Sequence, residues 1–311
     1  MKEPGPILIT ARDPAALMAV VDRAAGSSLP WVGPDEPRAE DAVVWFASSA
    51  PPAEPYALRA LRWIHSGWAG VDGWIGRPEW RAGVTLTRTV GDFPERIAAY
   101  VIGHLLAEAI GVRRAARQQA ERRWARWVPG SVAGKTMTIV GFGAIGRAVG
   151  NAARGLGMRV QGIRRGPPTA EERAAGVFEA TDLDARLPES DVVVNLLPAT
   201  LATRHFWDAS RLARLKPDSL FVNVSRGECV DETALLAAIE AGRPGRALLD
   251  VFQSEPLAAD HPFWTSTAIR VTPHVAGRGT PEVEGLAFAA QWGRWRRGEP
   301  LEHPVDRDRG Y

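Results

Sequence analysis

Three residues of different chemistry stand at the ends of apolar runs late in the chain: Arg226 in "VNVSRG", Glu255 in "LLDVFQSEPL" and His274 in "VTPHVAG". A guanidinium offers a planar fork to a carboxylate or phosphate. A carboxylate beside an imidazole favours the protonated ring and fixes its orientation. Together such groups can bind an anion and move a proton. Taken singly, Arg226 reads as a surface ion-pair partner, Glu255 as a solvated loop carboxylate and His274 as a packed or capping histidine. Their shared placement at strand ends favours a site, because open α/β sheets bind ligands beyond the carboxyl ends of their strands.

Upstream, "GFGAIG" (141–146) has the G-x-G-x-x-G spacing, follows the apolar run "MTIV" and opens a helical pattern. In that context Gly141 permits a tight turn, Gly143 lets the backbone approach a pyrophosphate, and Gly146 lets helix and strand pack closely. The amides around Ala144 and Ile145 then face the phosphates. A dinucleotide is the expected cofactor. The second strand of the unit, in "GMRVQGIRRG" (157–166), ends on two arginines. NAD-binding folds usually carry a ribose-binding acid there. Arg164 in its place repels nothing and matches the oxygens of a 2′-phosphate, and Arg165 can add a second fork or stack on adenine. The pair therefore predicts NADPH as the preferred coenzyme, with NADH possible.

The elements that must carry these residues are legible as alternating strands and helices. "PILIT" (6–10), "AVVWFA" (42–47), "LRWIH" (61–65) and "VTLT" (84–87) read as strands, with Asp13 capping a first helix. A long helical segment, 94–116, leads into the polar stretch "RQQAERRWARWVPGSVAG". Alternation then restarts: "TMTIV", "RVQGI", "DVVVNLLP", "SLFVNVSRG", "RALLDVF" and "AIRVTPH" are further strands, and 281–297 is a last helix. The fold class expected is α/β, with two Rossmann-like, doubly wound parallel-sheet domains and a cleft between them.

Composition narrows the function classes. Apolar residues make up 45% of the 311, enough for sizeable cores. A net charge of +2 gives no basic surface for nucleic acid. The single cysteine, Cys229, excludes an internal disulfide and a four-cysteine zinc site, and the six histidines show no ligand spacing, so no metal is expected. No apolar run reaches the length of a membrane span, and no signal peptide is read at the N-terminus. A cytoplasmic protein with no membrane partner is expected.

On "GWAGVD" (67–72), "GFGAIG", "NLLPATLATR" (195–204), "VNVSRGECVDETAL" (222–235), "LLDVFQSEPL", "TPHVAG" (272–277) and "VDRDRGY" (305–311), the chain resembles the D-isomer-specific 2-hydroxyacid dehydrogenases. The likeness covers nearly the whole chain and is nearest to the glyoxylate/hydroxypyruvate reductase A branch. It implies a substrate domain of 1–98 plus 278–311 and a dinucleotide domain of 99–277. It also implies a homodimer, in which the "ERRWARW" segment with Trp124 and Trp127 forms an arm crossing to the partner subunit.

The resemblance assigns roles residue by residue. Arg226 would hold the carboxylate and keto oxygen of a small 2-keto acid, glyoxylate or hydroxypyruvate. His274 would act as general acid with Glu255 as its partner. Trp45, Trp68 and the amides of Ala69 and Gly70 would contact substrate; for Trp45, as for Trp124 and Trp127, ordinary core or interface packing is at least an equal alternative. Pro198, Thr203, Val224, Ser225, Asp250, His274 and Gly277 would line the coenzyme; for Asp250 a strand-end cap is an equal alternative. Two further departures from the common pattern are Trp68 in the "GWAGVD" loop and Ala99 in "AAY", where relatives carry an acid. A same-fold dehydrogenase for another or larger hydroxy acid, or a non-enzymatic dinucleotide sensor, is the alternative reading.

Overall fold

The computed structural model describes residues 5–48 and 51–307, so the end of the "VDRDRGY" motif, 308–311, lies outside the described residues. The chain forms two compact units, Met1–Phe93 with Gly279–Tyr311, and Pro94–Arg278. The crossings thus fall a few residues from the expected 98/99 and 277/278 boundaries.

The first unit is built on five parallel strands, β1 (Ile7–Thr10), β2 (Trp31–Val32), β3 (Val44–Ala47), β4 (Trp63–Ser66) and β5 (Thr85–Arg88), in the order β2-β1-β3-β4-β5. Every residue of β1, β3 and β4 is buried, as befits a parallel sheet covered on both faces. Alternation sends Leu8, Trp45, Ile64 and Leu86 to one face and Ile7, Ile9, Phe46 and Trp63 to the other. Helix α1 (Pro14–Ala25) covers the second face, and Asp13 caps it by accepting from the Ala16 amide at 3.0 Å.

The second unit opens with α2 (Phe93–Ile110) and α3 (Val112–Ala120). The expected single helix is broken at Gly111, whose φ of 77° lies in the left-handed region that ends helices. Then follow β6 (Thr136–Val140), α4 (Ala144–Gly155), β7 (Arg159–Arg164), α5 (Ala170–Ala174), β8 (Val177–Glu179) and α6 (Leu183–Arg186). The unit continues with β9 (Val192–Asn195), α7 (Ala209–Leu212), β10 (Leu220–Asn223), α8 (Glu232–Glu240), β11 (Arg246–Leu249) and β12 (Ile269–Val271). The strands pair in parallel in the order β12-β11-β10-β9-β6-β7-β8. The direction of winding reverses between β6 and β9, the topological switch point at which such sheets bind ligands. Strands β2 and β8, of two and three residues, were too short to be seen as apolar runs.

The chain returns to the first unit as α9 (Pro281–Arg297), capped by Thr280 and ended by Gly298 at φ 69°. It lies beside α1, tied by Arg23–Glu282 at 2.8 Å, and Phe288 stacks on Phe46 with ring centroids 4.3 Å apart. Among the described residues no helix is long and apolar enough to cross a membrane.

One titratable group is sealed inside this unit. His65 on β4 is 1% exposed, with Nδ1 2.8 Å from Thr87 Oγ1 and Nε2 3.1 Å from Thr89 Oγ1. Burial first, and the charge of His303 second, push its pKa from 6.5 down to about 3. The folded state therefore binds this proton less readily than the unfolded chain. The stability it supports is complete above pH 6.5 and is lost as pH falls from there toward 3. The expected NMR result is a His65 ring resonance that stays constant from pH 7.5 to pH 5. A titration near 6.5 would show that the ring is open to water.

Candidate active site

The turn from β6 to α4 is a cradle only glycine can form. At Gly141, φ 102°, a Cβ would stand 2.6 Å from the Leu196 carbonyl oxygen, below any normal contact. At Gly146 it would meet the Gly141 carbonyl at 2.7 Å, so helix and strand touch there. At Gly143 nothing lies within 4 Å, which leaves that side of the turn open to a bulky group. Ala144 and Ile145 begin α4 directly after it. A dinucleotide's pyrophosphate fits such a turn, with amides and helix dipole aimed at its charge.

At the end of β10, Arg226 is set by its neighbours. The buried Asn223 accepts from Asn195 Nδ2 at 3.0 Å and donates to the Arg226 carbonyl at 3.0 Å. Both asparagines are at most 1% exposed, each closing a strand. The next residue, Gly227, sits so close to the β11 loop that a Cβ would be 1.9 Å from the Phe252 carbonyl carbon. The half-buried Arg226 donates from Nη1 to the Ser225 carbonyl at 2.7 Å.

His274 follows β12 and adopts φ 52°, a left-handed conformation uncommon outside glycine. Its Nδ1 lies 2.7 Å from Glu255 Oε2, and the other oxygen of Glu255 accepts from the Phe252 amide at 3.0 Å. Burial works to raise the Glu255 pKa. The hydrogen bonds from His274 and Phe252, with the charges of His274 and Arg226, outweigh it and leave the carboxyl below its usual range. An ionised carboxylate only accepts, so Nδ1 carries a hydrogen and Nε2 is the nitrogen that Glu255 leaves unengaged. Arg226, Glu255 and His274 thus belong to one electrostatic group.

Asp250 directly follows β11 at 1% exposure, and its carboxylate caps the strand end through hydrogen bonds. Its Oδ1 accepts from the Val275 amide at 3.0 Å and from Thr272 Oγ1 at 2.6 Å, and Oδ2 accepts from the Ala276 amide at 2.8 Å. Thr272 in turn accepts from the Tyr100 hydroxyl on α2. Burial, reinforced by the nearby Asp250 charge, pushes that phenol up to about 12, so it is a neutral donor. The sequence reading missed Tyr100, Thr272 and the two asparagines. Their signal was only that each adjoins a strand end or the "AAY" of α2.

Other expected contacts are distributed differently. Trp45 is corrected to a core residue. It has no exposed surface, its indole N–H donates to Thr10 Oγ1 at 2.9 Å, and Trp74 packs edge-on 4.8 Å away, which leaves no surface to floor a pocket. Val224 and Thr203 are also turned inward, 7% and 8% exposed, with Thr203 Oγ1 donating to the Pro198 carbonyl at 2.6 Å. The Ser225 hydroxyl donates to the Leu197 carbonyl, and Gly277 is half-buried after Ala276.

On the first unit, the "GWAGVD" loop leaves the carboxyl end of β4. Trp68 is 44% exposed, Ala69 and Gly70 are half-buried, and the Ala69 carbonyl accepts from Arg88 Nη1 at 3.0 Å. Glu284 of α9, 5% exposed, accepts from the Ser48 hydroxyl and lies where a Gly67 Cβ would be 2.9 Å from Oε2. Both bracing residues went unread in the sequence.

Arg164 ends β7, as expected. Its Nη1 lies 2.9 and 3.0 Å from the two oxygens of Glu172 on α5, and Arg147 Nη2 lies 3.2 Å from one of them. Glu172 could have been found from the capping signature "TAEE" at 169–172.

The model of the D-isomer specific 2-hydroxyacid dehydrogenase NAD-binding domain matches residues 102–276, the span that carries the glycine cradle, Arg226, Glu255 and His274. The chain belongs to the D-isomer-specific 2-hydroxyacid dehydrogenase family. It is thereby an NAD(P)-dependent oxidoreductase. Glyoxylate/hydroxypyruvate reductase B of Klebsiella pneumoniae is 37% identical over 64% of this chain and 63% of its own length. A D-isomer specific 2-hydroxyacid dehydrogenase family protein from Aeromonas salmonicida superposes with a TM-score of 0.88 at 31% identity, over 98% of this chain and all of its own. The NADPH-dependent glyoxylate/hydroxypyruvate reductase SmGhrA of Sinorhizobium meliloti, solved with NADP and sulfate, matches with a TM-score of 0.85 at 26% identity. That match covers 99% of this chain and 100% of the other.

For a dehydrogenase of this family, Gly227 is the tightest point of the site. Replacing it with alanine forces apart the loops that carry Arg226 and Glu255. Overpacking of this kind costs roughly 1–3 kcal/mol or more, which lowers the unfolding midpoint by about 3–10 °C in a domain of this size. Turnover is expected to fall with it. A Gly227→Ala protein with unchanged calorimetric midpoint and unchanged activity would contradict the close approach.

Proposed function

We propose that this dehydrogenase reduces small 2-keto acids, glyoxylate and hydroxypyruvate foremost, to 2-hydroxy acids, with NADPH preferred over NADH. The observation that carries the reading is the His274–Glu255 pair beside Arg226, at the carboxyl edge of the sheet that also holds the glycine cradle. A bound nicotinamide coenzyme supplies the hydride.

The chain's own residues then supply charge and a proton. The Arg226 fork binds the substrate carboxylate and keto oxygen and stabilises the negative charge that develops on that oxygen. His274, oriented by Glu255 through Nδ1, delivers a proton from Nε2 to the same oxygen. On the first unit, the Ala69 and Gly70 amides form a nest-like anion site in this reading. The 2′-phosphate of NADPH is assigned to Arg164 and Arg165, which stand where an NAD-binding acid is expected.

The arm assigned to a homodimer also has support. Residues 121–134 form no helix or strand, and Trp124 and Val128 are 89% and 93% exposed on them. A second copy of the chain is the proposed cover.

Two outcomes are expected. A panel of 2-keto acids, followed by loss of NADPH or NADH absorbance, should show turnover on glyoxylate and hydroxypyruvate. In His274→Ala that turnover should drop about a hundredfold or more while coenzyme affinity barely moves, the scale of lost general acid catalysis. Near-normal turnover in the variant would assign the proton elsewhere. Sedimentation equilibrium should give twice the 33.7 kDa chain mass, and Trp124→Glu should shift it toward the monomer; a wild-type monomer at micromolar concentration would refute the arm.

A further inference from the structure

Arg164 already holds an anion, and that anion belongs to the chain. Glu172 receives Arg164 from the end of β7 and Arg147 from the first turns of α4, two elements that flank the glycine cradle. To a guanidinium fork, a carboxylate and a phosphate present the same thing: negatively charged oxygens that only accept. Glu172 is also tethered. Its Oε2 accepts from the Thr169 amide at 3.0 Å, and Thr169 Oγ1 accepts from the Glu172 amide at 3.1 Å, a reciprocal capping box that holds the carboxylate at the start of α5.

We infer that Glu172 is a coenzyme-specificity residue, an internal carboxylate that competes with the 2′-phosphate of NADPH for Arg164 and Arg147. The inference rests on the NADPH reading above. Without coenzyme, Glu172 keeps both cations gathered at the ribose end of the site. A 2′-phosphate must draw them from Glu172, and the capping box keeps the displaced carboxylate nearby as a like charge. NADH has no such phosphate and leaves the pairs intact. Glu172 therefore lowers the discrimination that the arginines alone would give.

The sizes are modest because the partners are partly exposed, 39% and 52% for the arginine side chains and 20% for the glutamate. Exposed pairs shift an equilibrium by roughly a factor of five or less each, and salt weakens them. Two together should amount to about three- to tenfold at low ionic strength.

The test uses fragments and the full chain, so it does not depend on turnover. Calorimetry measures 2′,5′-ADP and 5′-AMP binding to wild type, Glu172→Gln, Arg164→Ala and the double variant. Glutamine retains an oxygen for the Thr169 amide, so the cap survives. The expected result is that Glu172→Gln binds 2′,5′-ADP about three- to tenfold more tightly, with 5′-AMP unchanged. The gain should shrink at 0.5 M salt, and shrink again to the part that Arg147 carries when Arg164→Ala is added. Equal or weaker 2′,5′-ADP binding in Glu172→Gln, while Arg164→Ala still loses affinity, overturns the role of Glu172 and leaves the NADPH reading intact. If Arg164→Ala loses nothing, the NADPH reading fails and the inference fails with it.

Discussion

At the end of β11, the carboxylate of Asp250 is withdrawn from water and accepts three hydrogen bonds from the segment that follows β12. A buried charge is tolerable only where such bonds replace its hydration. The requirement runs both ways: the carboxylate needs the loop, and the loop is held wherever the carboxylate can satisfy it. His274 lies inside that loop at φ 52°, a conformation that costs a non-glycine residue about 1–3 kcal/mol. Hydrogen bonds to a charged group contribute roughly 1.5–3 kcal/mol each, so the three at Asp250 outweigh the strain. The direction in which the imidazole points is thus decided in part by a residue outside the His274–Glu255 pair. Tyr100 and Thr272 extend the same hold to α2.

A similar logic governs the neighbouring strands. β9 and β10 end at the buried Asn195 and Asn223, and the buried Asp250 directly follows β11, all at most 1% exposed. Asn195 bonds to Asn223, Asn223 to the Arg226 carbonyl, and Asp250 to the segment after β12 that carries His274. Arg226 and His274 are therefore carried on loops whose first turns are pinned from below. Gly227 adds a steric condition, since the Arg226 and Glu255 loops approach within a distance that admits no side chain. Rigid strand ends with short loops hold the groups they carry in fixed relation.

Charge is balanced locally as well as in total. With 38 lysines and arginines against 36 acids, several arginines of the second unit are matched where they stand: Arg164 and Arg147 on Glu172, Arg246 on Glu108. Such local pairing leaves little net charge for a broad positive field.

Much of this was legible in one dimension. Strands of the parallel sheets read as apolar runs because both of their faces are buried, and the order of elements around "GFGAIG" made the dinucleotide unit recognisable. Arg226, Glu255 and His274 were visible because strand ends are where such a sheet meets its ligands. The very short strands β2 and β8 were not, and neither was the break at Gly111, since a helix-period pattern continues across it. Trp45 read as a candidate substrate contact and proved to be core, because exposure is a property of the packed sheet and not of residue type. What the sequence determined by itself was the kind of fold, from periodicity, the identity of the chemical groups at strand ends, from spacing, and the family, from the resemblance its motifs carry. What only the tertiary structure decided was which partners those groups meet: Glu255 on Nδ1 of His274, Asp250 on the loop beneath it, Glu172 on Arg164. Two of these three contacts join residues about twenty or more positions apart, and which carboxylate meets which cation depends on strand order and loop path, which no local pattern encodes.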